Sequence, residues 1–418
     1  MITLIILVVM FIAMIINKLP VAVVVTLTGI AYWLTGIVQP GTLYSNFGGA
    51  TIILLIVMSL EVQGLEATGL IDKAAAIIYN DKVCNNERLA IFVSCLFVGF
   101  ATGFLSNTAL MVMMIPVVAG AAVKSNGKIR PKYLILAMAG EATLGCGISL
   151  IGGAPILAAS GALETAGYEP FTFFQCAPLT VVSIVIGAIY YSTIGYSISK
   201  KFFNFEDPLY NENTAKEVRH IEAPAWKQAV SLAVLVISIL LFMFTKINAQ
   251  AIGICGAAVL WITGILPVTK SLKDIDWNTM WCLNFCLVVA AAVNGSGTGL
   301  YIANSILGLF GDAASYVTII LAVAIIGGVL TQLMSNTAFN AMFTPICIAL
   351  AQGIGVNPLA VVVPAVVMVN VSIATPVASP CMTVALRGGY RPIDYILLGL
   401  PLVIIMIPVL LAISLVVY

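Results

Sequence analysis

The sequence is short of charge and nearly devoid of histidine. Only 8% of its 418 residues are Asp, Glu, Lys or Arg, against about 25% in a soluble domain. The single His, His220, stands in a polar stretch. An intramembrane enzyme needs a nucleophile with a base, or a metal-ligating cluster, and the composition supplies neither. The net charge of +1 offers no basic surface for nucleic acid. The nine Cys are scattered through apolar segments without metal-type spacing and read as small core residues. The first apolar run has no basic segment before it and no small-residue cleavage site, so it reads as a retained helix and not a signal peptide. A channel lacks its marks too, since no charge ring or repeated carbonyl filter is visible.

What is present is apolar. Hydrophobic residues make up 61% of the chain, and the mean hydropathy is +1.12. Apolar runs of transmembrane length recur along the chain and do not alternate. The fold class is therefore an all-α polytopic membrane protein and not a β-barrel. Loops rich in Lys and Arg stay cytoplasmic. Such loops occur at Lys18, at Lys73 to Arg88, at Lys124 to Lys132, at Lys200 to Lys227 (with Lys216 and Arg219), at Lys270 and Lys273, and at Arg387 and Arg391. Lys246 alone does not fit. Basic clusters flank both sides of the segment 89–123, so it enters and leaves on one side as a re-entrant hairpin. The segment 315–353 has uncharged flanks and should enter from the opposite side.

The two halves match. "SNTA" at Ser106 recurs at Ser335, and Pro116 recurs as Pro345, both at an offset of 229. "WLTGI" at Trp33 recurs as "WITGI" at Trp261, "TGL" at Thr68 recurs at Thr298, and "GYEP" at Gly167 recurs as "GYRP" at Gly389. Regions in the same order with slowly drifting offsets predict a duplicated fold. Each half reads as three spans, a hairpin and two further spans. Five crossings are an odd number, so the second half is inverted. Inverted repeats with broken elements are a secondary-transporter architecture, with the site at the midplane. The predicted organisation is a first repeat at 1–200 (scaffold 1–87, transport part 88–200), a cytoplasmic connector at 201–225, and a second repeat at 226–418 (scaffold 226–314, transport part 315–418). Both termini are predicted outside.

A hairpin tip breaks a helix and frees backbone groups. Carbonyls, hydroxyls and amides suit a hard cation, while N–H groups and the positive helix end suit an anion. Each hairpin is followed by a second interrupted stretch. The first is "GCGISLIGGAPILAASG" from Gly145 and the second is "NVSIATPVASP", broken by Pro376 and Pro380. Ionisable residues within spans are Glu61, Glu66 and Glu141, with Asp312 near an outer turn. Glu141 is read as structural or gating.

At the doubled "SNTA" and the "ATP" of Ala374, Thr375 and Pro376, the sequence resembles the divalent anion/sodium symporter family of the ion transporter superfamily. The resemblance covers nearly the whole chain. It implies two sodium sites and no organic cofactor. The first site would use Thr102, Ser106 and Asn107 with backbone at Gly147 and Gly152. The second would use Thr331, Ser335 and Asn336 with backbone at Ala374. The anion would lie between the tips, touched by Ser106, Asn107, Thr108, Ser335, Asn336, Thr337, Thr375 and Pro376. The resemblance also implies a lipid-embedded homodimer in a bacterial inner membrane, working by an elevator-like motion. The sequence departs from the family's turn, because Ile156 and Ala378 stand where Asn is expected and "GGAP" lacks the Thr. A C4-dicarboxylate is the leading substrate. Proton-coupled or exchange-type permeation of citrate, sulfate or another oxyanion, and cation/proton antiport, are the alternatives.

Overall fold

The computed structural model describes residues 1–16, 18–70, 73, 77–211, 213–214, 223–245 and 247–418. Lys216, Arg219, His220 and Lys246 lie outside the described residues, as does the side chain of Asp312. Among the described residues all regular structure is helical. The first half runs α1 (Ile2–Ile16), α2 (Val21–Leu34), α3 (Ala50–Ala67), α4 (Glu87–Ala101), α5 (Asn107–Lys124), α6 (Pro131–Gly145), α7 (Ala154–Thr165) and α8 (Ala177–Tyr190, continued to Phe202 through a π turn). The second half runs α9 (Ala225–Phe244), α10 (Ala249–Ile262), α11 (Trp277–Gly295), α12 (Thr298–Phe310), α13 (Tyr316–Leu330), α14 (Asn336–Gly353), α15 (Pro358–Val369), α16 (Pro380–Ala385) and α17 (Pro392–Val417). The order of long elements from α1 to α8 thus recurs from α9 to α17; the first-half stretch matching α12 lies largely outside the described residues.

Among the described residues seven helices are long and apolar enough to cross a membrane: α3, α5, α8, α9, α11, α13 with its 3₁₀ end, and α17. Full-length crossings were expected for the first two elements of each half. Instead α1, α2 and α10 hold 15, 14 and 14 residues, about 21–23 Å at 1.5 Å per residue, short of a ~30 Å hydrocarbon core. The repeated "TG" explains where α2 and α10 stop. Thr35 and Thr263 each donate back to the carbonyl four residues earlier at 2.7 Å. Gly36 and Gly264 follow in the left-handed region, at φ 73° and 63°, the conformation that terminates a helix and that glycine adopts without strain.

Both hairpins turn back. At the first, the outer ends of α4 and α5 meet: Lys124 pairs with Asp81 at 3.4 Å, Lys128 Nζ donates to Asn85 at 2.8 Å, and the Arg130 N–H donates to Glu87 at 2.9 Å. At the second, the Tyr316 hydroxyl at the start of α13 bonds Ala360 O on α15, just past the end of α14, at 3.1 Å. Helix α17 relates the two open ends. It starts beside the first, where Tyr390 donates to Lys132 O at 2.8 Å. It finishes beside the second, where Ser414 O lies 3.4 Å from the Tyr316 hydroxyl. Its 26 residues span about 39 Å, so the open ends of the two hairpins lie at opposite ends of this helix. The remaining helices pair across the halves: α3 packs on α10 and α2 on α11, with Gln250 donating to Ala50 O at 3.0 Å and Trp281 to Thr26 at 2.9 Å. All nine Cys are unpaired, and all but Cys255 are buried.

Candidate functional site

A cavity of about 720 Å³ lies between the hairpin tips and the two helix breaks. Ser106, Asn107 and Thr108 line it from one side and Ser335, Asn336 and Thr337 from the other. Residues 151–155 of the first break and 377–380 of the second complete the inner wall. Helix α3 and the start of α11 supply the outer wall, with Glu66, Asp274 and Asp276. None of the residues described along the wall is Lys or Arg. What it offers an anion is helix ends: α5 begins at Asn107, α14 at Asn336 and α7 at Ala154, each with its first turn at the cavity. These ends carry unsatisfied N–H groups and the positive end of the helix dipole.

The two tips meet their breaks differently. At the first tip, Ser106 caps α5, its hydroxyl accepting from the Ala109 N–H at 3.4 Å. Thr102 donates within its own helix, to Val98 O at 2.9 Å and Gly99 O at 3.1 Å. The hydroxyl of Ser149 in the break donates to Gly103 O. A Cβ at Gly145 would stand 1.9 Å from Gly99 O and 2.4 Å from Thr102 Oγ1, and one at Gly152 would stand 2.4 Å from Cys146 O and 3.0 Å from Gly103 O. Two glycines therefore let hairpin and break approach closely, and each is met by hard oxygens, Gly99 O and Thr102 Oγ1 at Gly145, and Cys146 O and Gly103 O at Gly152. That donor set fits a small hard cation.

At the second tip, Thr331 Oγ1 lies 2.7 Å from Asn336 Oδ1 and 2.8 Å from Val369 O. Asn336 Nδ2 donates to Ser372 Oγ at 2.6 Å. Gln332 stitches tip to break: its Nε2 donates to Gly328 O at 2.9 Å and Val371 O at 2.8 Å, and its Oε1 accepts from the Ala374 N–H at 2.9 Å. Two carbonyls of this set are thus already taken by an amide, and the set fits a cation less well.

Several predicted site residues sit elsewhere. Thr375 and Pro376 were placed against the anion, but neither lines the cavity. The Thr375 hydroxyl is turned inward onto Gln332 O, and Val377, Ala378 and Ser379 form the wall instead. Gly147 was placed with Thr102. Two residues further along near-helical backbone turn it by about 200°, so it faces Thr180 and Asn370, and Gly145 takes the place beside Thr102. Ala374 acts through its N–H. Sequence reasoning missed Gln332 and Ser149. Their signals were a polar residue next to Thr331 and a Ser inside "GISL". Ser149 does at Gly103 O what Thr375 does at Gln332 O, so the first break has a hydroxyl after all.

The acidic residues divide. Glu61 is buried and accepts from Ser238 at 2.7 Å. Glu66 lines the cavity. Glu141 is fully buried, and neither carboxyl oxygen has a hydrogen-bond partner among the described residues. A Cβ at Gly187 would lie 2.2 Å from its Oε1, so the glycine makes room for it. No group of His, Cys, Asp and Glu suited to a transition metal is found among the described residues.

Comparison with known proteins fits this arrangement. The family model described as "Citrate transporter" matches residues 11–365 and, in a second match, 239–418. The chain belongs to that family, whose members are transporters and not enzymes. It is similar to the sodium-dependent dicarboxylate transporter SdcS of Staphylococcus saprophyticus, 22% identical over 387 residues, 84% of this chain and 73% of that protein. The SdcS of Staphylococcus aureus is 21% identical over 408 residues, 89% of this chain and 77% of that one. Among solved structures, Neisseria gonorrhoeae MtrF, described within a class of antimetabolite efflux pumps, superposes with a TM-score of 0.63 at 17% identity, covering 90% of this chain and 83% of its own. The Alcanivorax borkumensis YdaH transporter superposes at 0.60 and 14% identity, covering 90% and 87%. These two share the fold.

Proposed function

We propose that this integral membrane member of the citrate transporter family takes up a small divalent anion by symport with sodium. A C4-dicarboxylate is the first candidate and citrate its rival. The observation that carries the reading is the convergence of three helix N-termini on a cavity whose described wall has no Lys or Arg. Such a wall holds carboxylates through N–H groups and the hydroxyls and amides of Ser106, Asn107, Thr108, Ser335, Asn336 and Thr337. Sodium would be held at the first tip by Thr102, Ser106 and Asn107 with the carbonyls around Gly145 and Gly152. When bound, it would offset the anion's charge and order the tip. The names of the staphylococcal relatives support both substrate class and cation.

The two halves act as inverted repeats in a bacterial cytoplasmic membrane, with both termini outside. α4 to α8 and α13 to α17 move as the transport part of a homodimer, past a scaffold of α1 to α3 and α9 to α12. The Lys- and Arg-rich loops put the mouth, at Glu66 and Asp274, on the cytoplasmic side. Uptake of labelled succinate and citrate into proteoliposomes tests the reading. It should require an inward sodium gradient and fall at least tenfold in a Ser106→Ala, Ser335→Ala double variant. Full activity of that variant would remove the site assignment. The buried, unpartnered Glu141 favours a second reading, proton coupling. Uptake that ignores sodium but follows a pH gradient, and is lost in Glu141→Gln, would establish that reading in its place.

A further inference from the structure

The repeat that places "SNTA" twice also places Gly103 and Gln332 at equivalent positions, each three residues before the tip Ser. The flanking residues agree, with Thr102 matching Thr331 and Gly99 matching Gly328. The main-chain oxygen at this position also has the same partner in both halves, the hydroxyl of Ser149 at Gly103 and of Thr375 at Gln332. Only the side chain differs. The orientation of the Gln332 amide is set by its backbone partners. The Ala374 N–H can only donate, so Oε1 faces it, and Nε2 is left for the carbonyls of Gly328 and Val371. Gln332 is buried, and all three contacts are within 2.9 Å.

An N–H pair directed at two carbonyls occupies them as a small cation would. It supplies positive partial charge to oxygens that a helix end and a broken helix leave unsatisfied. In the first half that position has no side chain. There Gly145 rests on Gly99 O, and the oxygens of Gly99, Gly103 and Cys146 with Thr102 receive no amide from a side chain at 103.

We propose that Gln332 is a built-in replacement for a cation at the second tip, so that the chain binds one sodium, at the first tip, where the duplicated motif would suggest two. This rests on the sodium reading above, and it changes the coupling. Both tips have a hydroxyl bond to the break, but only the second adds an amide on the carbonyls, so the first tip is the one that awaits an ion.

The test counts ions and does not depend on transport. Purified full-length protein is titrated with ²²Na⁺ at constant ionic strength in choline chloride, and the stabilisation of its thermal melt by Na⁺ is followed in parallel. The wild type should bind one sodium per chain with a Hill coefficient of about one. Gln332→Ala, which uncovers the two carbonyls, and Gln332→Glu, which keeps the side chain's size and its acceptor for Ala374, should each bind two. If the Ala variant fails to fold, the Glu variant decides. Two ions on the wild type would overturn the inference while leaving sodium coupling in place. A variant that folds and still binds only one would overturn it as well. No sodium on any form would remove the sodium reading and this inference together.

Discussion

The two hairpin tips carry the same four residues and are built on different principles. The second is tied to its broken helix by side chains: Thr331 reaches Val369 O, Asn336 reaches Ser372, and Gln332 reaches Val371 and Ala374. The first is brought to its broken helix by an absence of side chains, with Gly145 and Gly152 letting backbone oxygens close up. A set of side-chain hydrogen bonds holds one tip, and close packing around oxygens, with the Ser149 bond to Gly103 O, shapes the other. In a transporter, the tip with fewer ties of its own is the one whose order a bound ion can control.

That difference is broken most severely at Gly145. In Gly145→Ala the new methyl meets Gly99 O at 1.9 Å. The obstacle is backbone, which cannot turn aside as a side chain would. The variant should lose stability at or above the top of the ~1–3 kcal/mol range for overpacking and should not respond to sodium. A thermal melt of the purified protein checks both. At the second tip the corresponding approach is made through Gln332, so Val371→Ala should melt only modestly lower.

The paired threonines sharpen the contrast at smaller cost. Thr331→Val removes the one hydroxyl proton shared between Asn336 Oδ1 and Val369 O and so leaves a buried acceptor short of a partner, a loss of about 1–3 kcal/mol. Thr102→Val removes a bond only within its own helix, where hydroxyl back-bonding adds little, and should cost under about 1 kcal/mol. The melting temperatures of the two apo variants should therefore separate, while sodium-induced stabilisation should disappear in Thr102→Val alone.

Much of this was open to sequence reading, and the boundary of what was legible has a physical cause. The doubled "SNTA", the repeated "TG" and the placement of Lys and Arg are local signals. A helix stop or a hairpin is determined within a few residues, so the α4–α5 and α13–α14 hairpins and the break after Gly145 could be placed. Gln332 was visible beside Thr331, but its meaning depends on Val371 and Ala374, about forty residues away across a packed contact. Ser149 was passed over because "GGAP" was matched to "ATP" by its proline. The structure pairs them instead by which hydroxyl reaches the tip carbonyl. The short α2 and α10 were lost in apolar sequence that continues past their ends, where only a left-handed glycine marks the stop.

Where the tips are alike, equal effects are expected. Ser149→Ala and Thr375→Ala each delete one hydroxyl-to-carbonyl bond at matching places. Each should lower stability by about 1 kcal/mol. A melt that separates them by much more than that would mean the two breaks bear unequal loads beyond the Gln332 connection.

The smallest effect lies at the acidic part of the cavity wall. Asp274 and Asp276 are exposed on the cavity's outer wall, and they repel an arriving dianion in the focused field of a cleft. Asp276 also caps α11 by accepting from the Thr279 N–H at 3.1 Å, so Asn is the substitution that removes its charge and keeps a cap. In the Asp274→Asn, Asp276→Asn variant the KM for the anion should fall by about two- to threefold at low ionic strength with kcat unchanged. The gain should fade at about 1 M salt, where the screening length shrinks to ~3 Å. A gain that survived high salt would place these carboxylates in contact with the substrate. The wall facing the tips would then not be the whole binding surface.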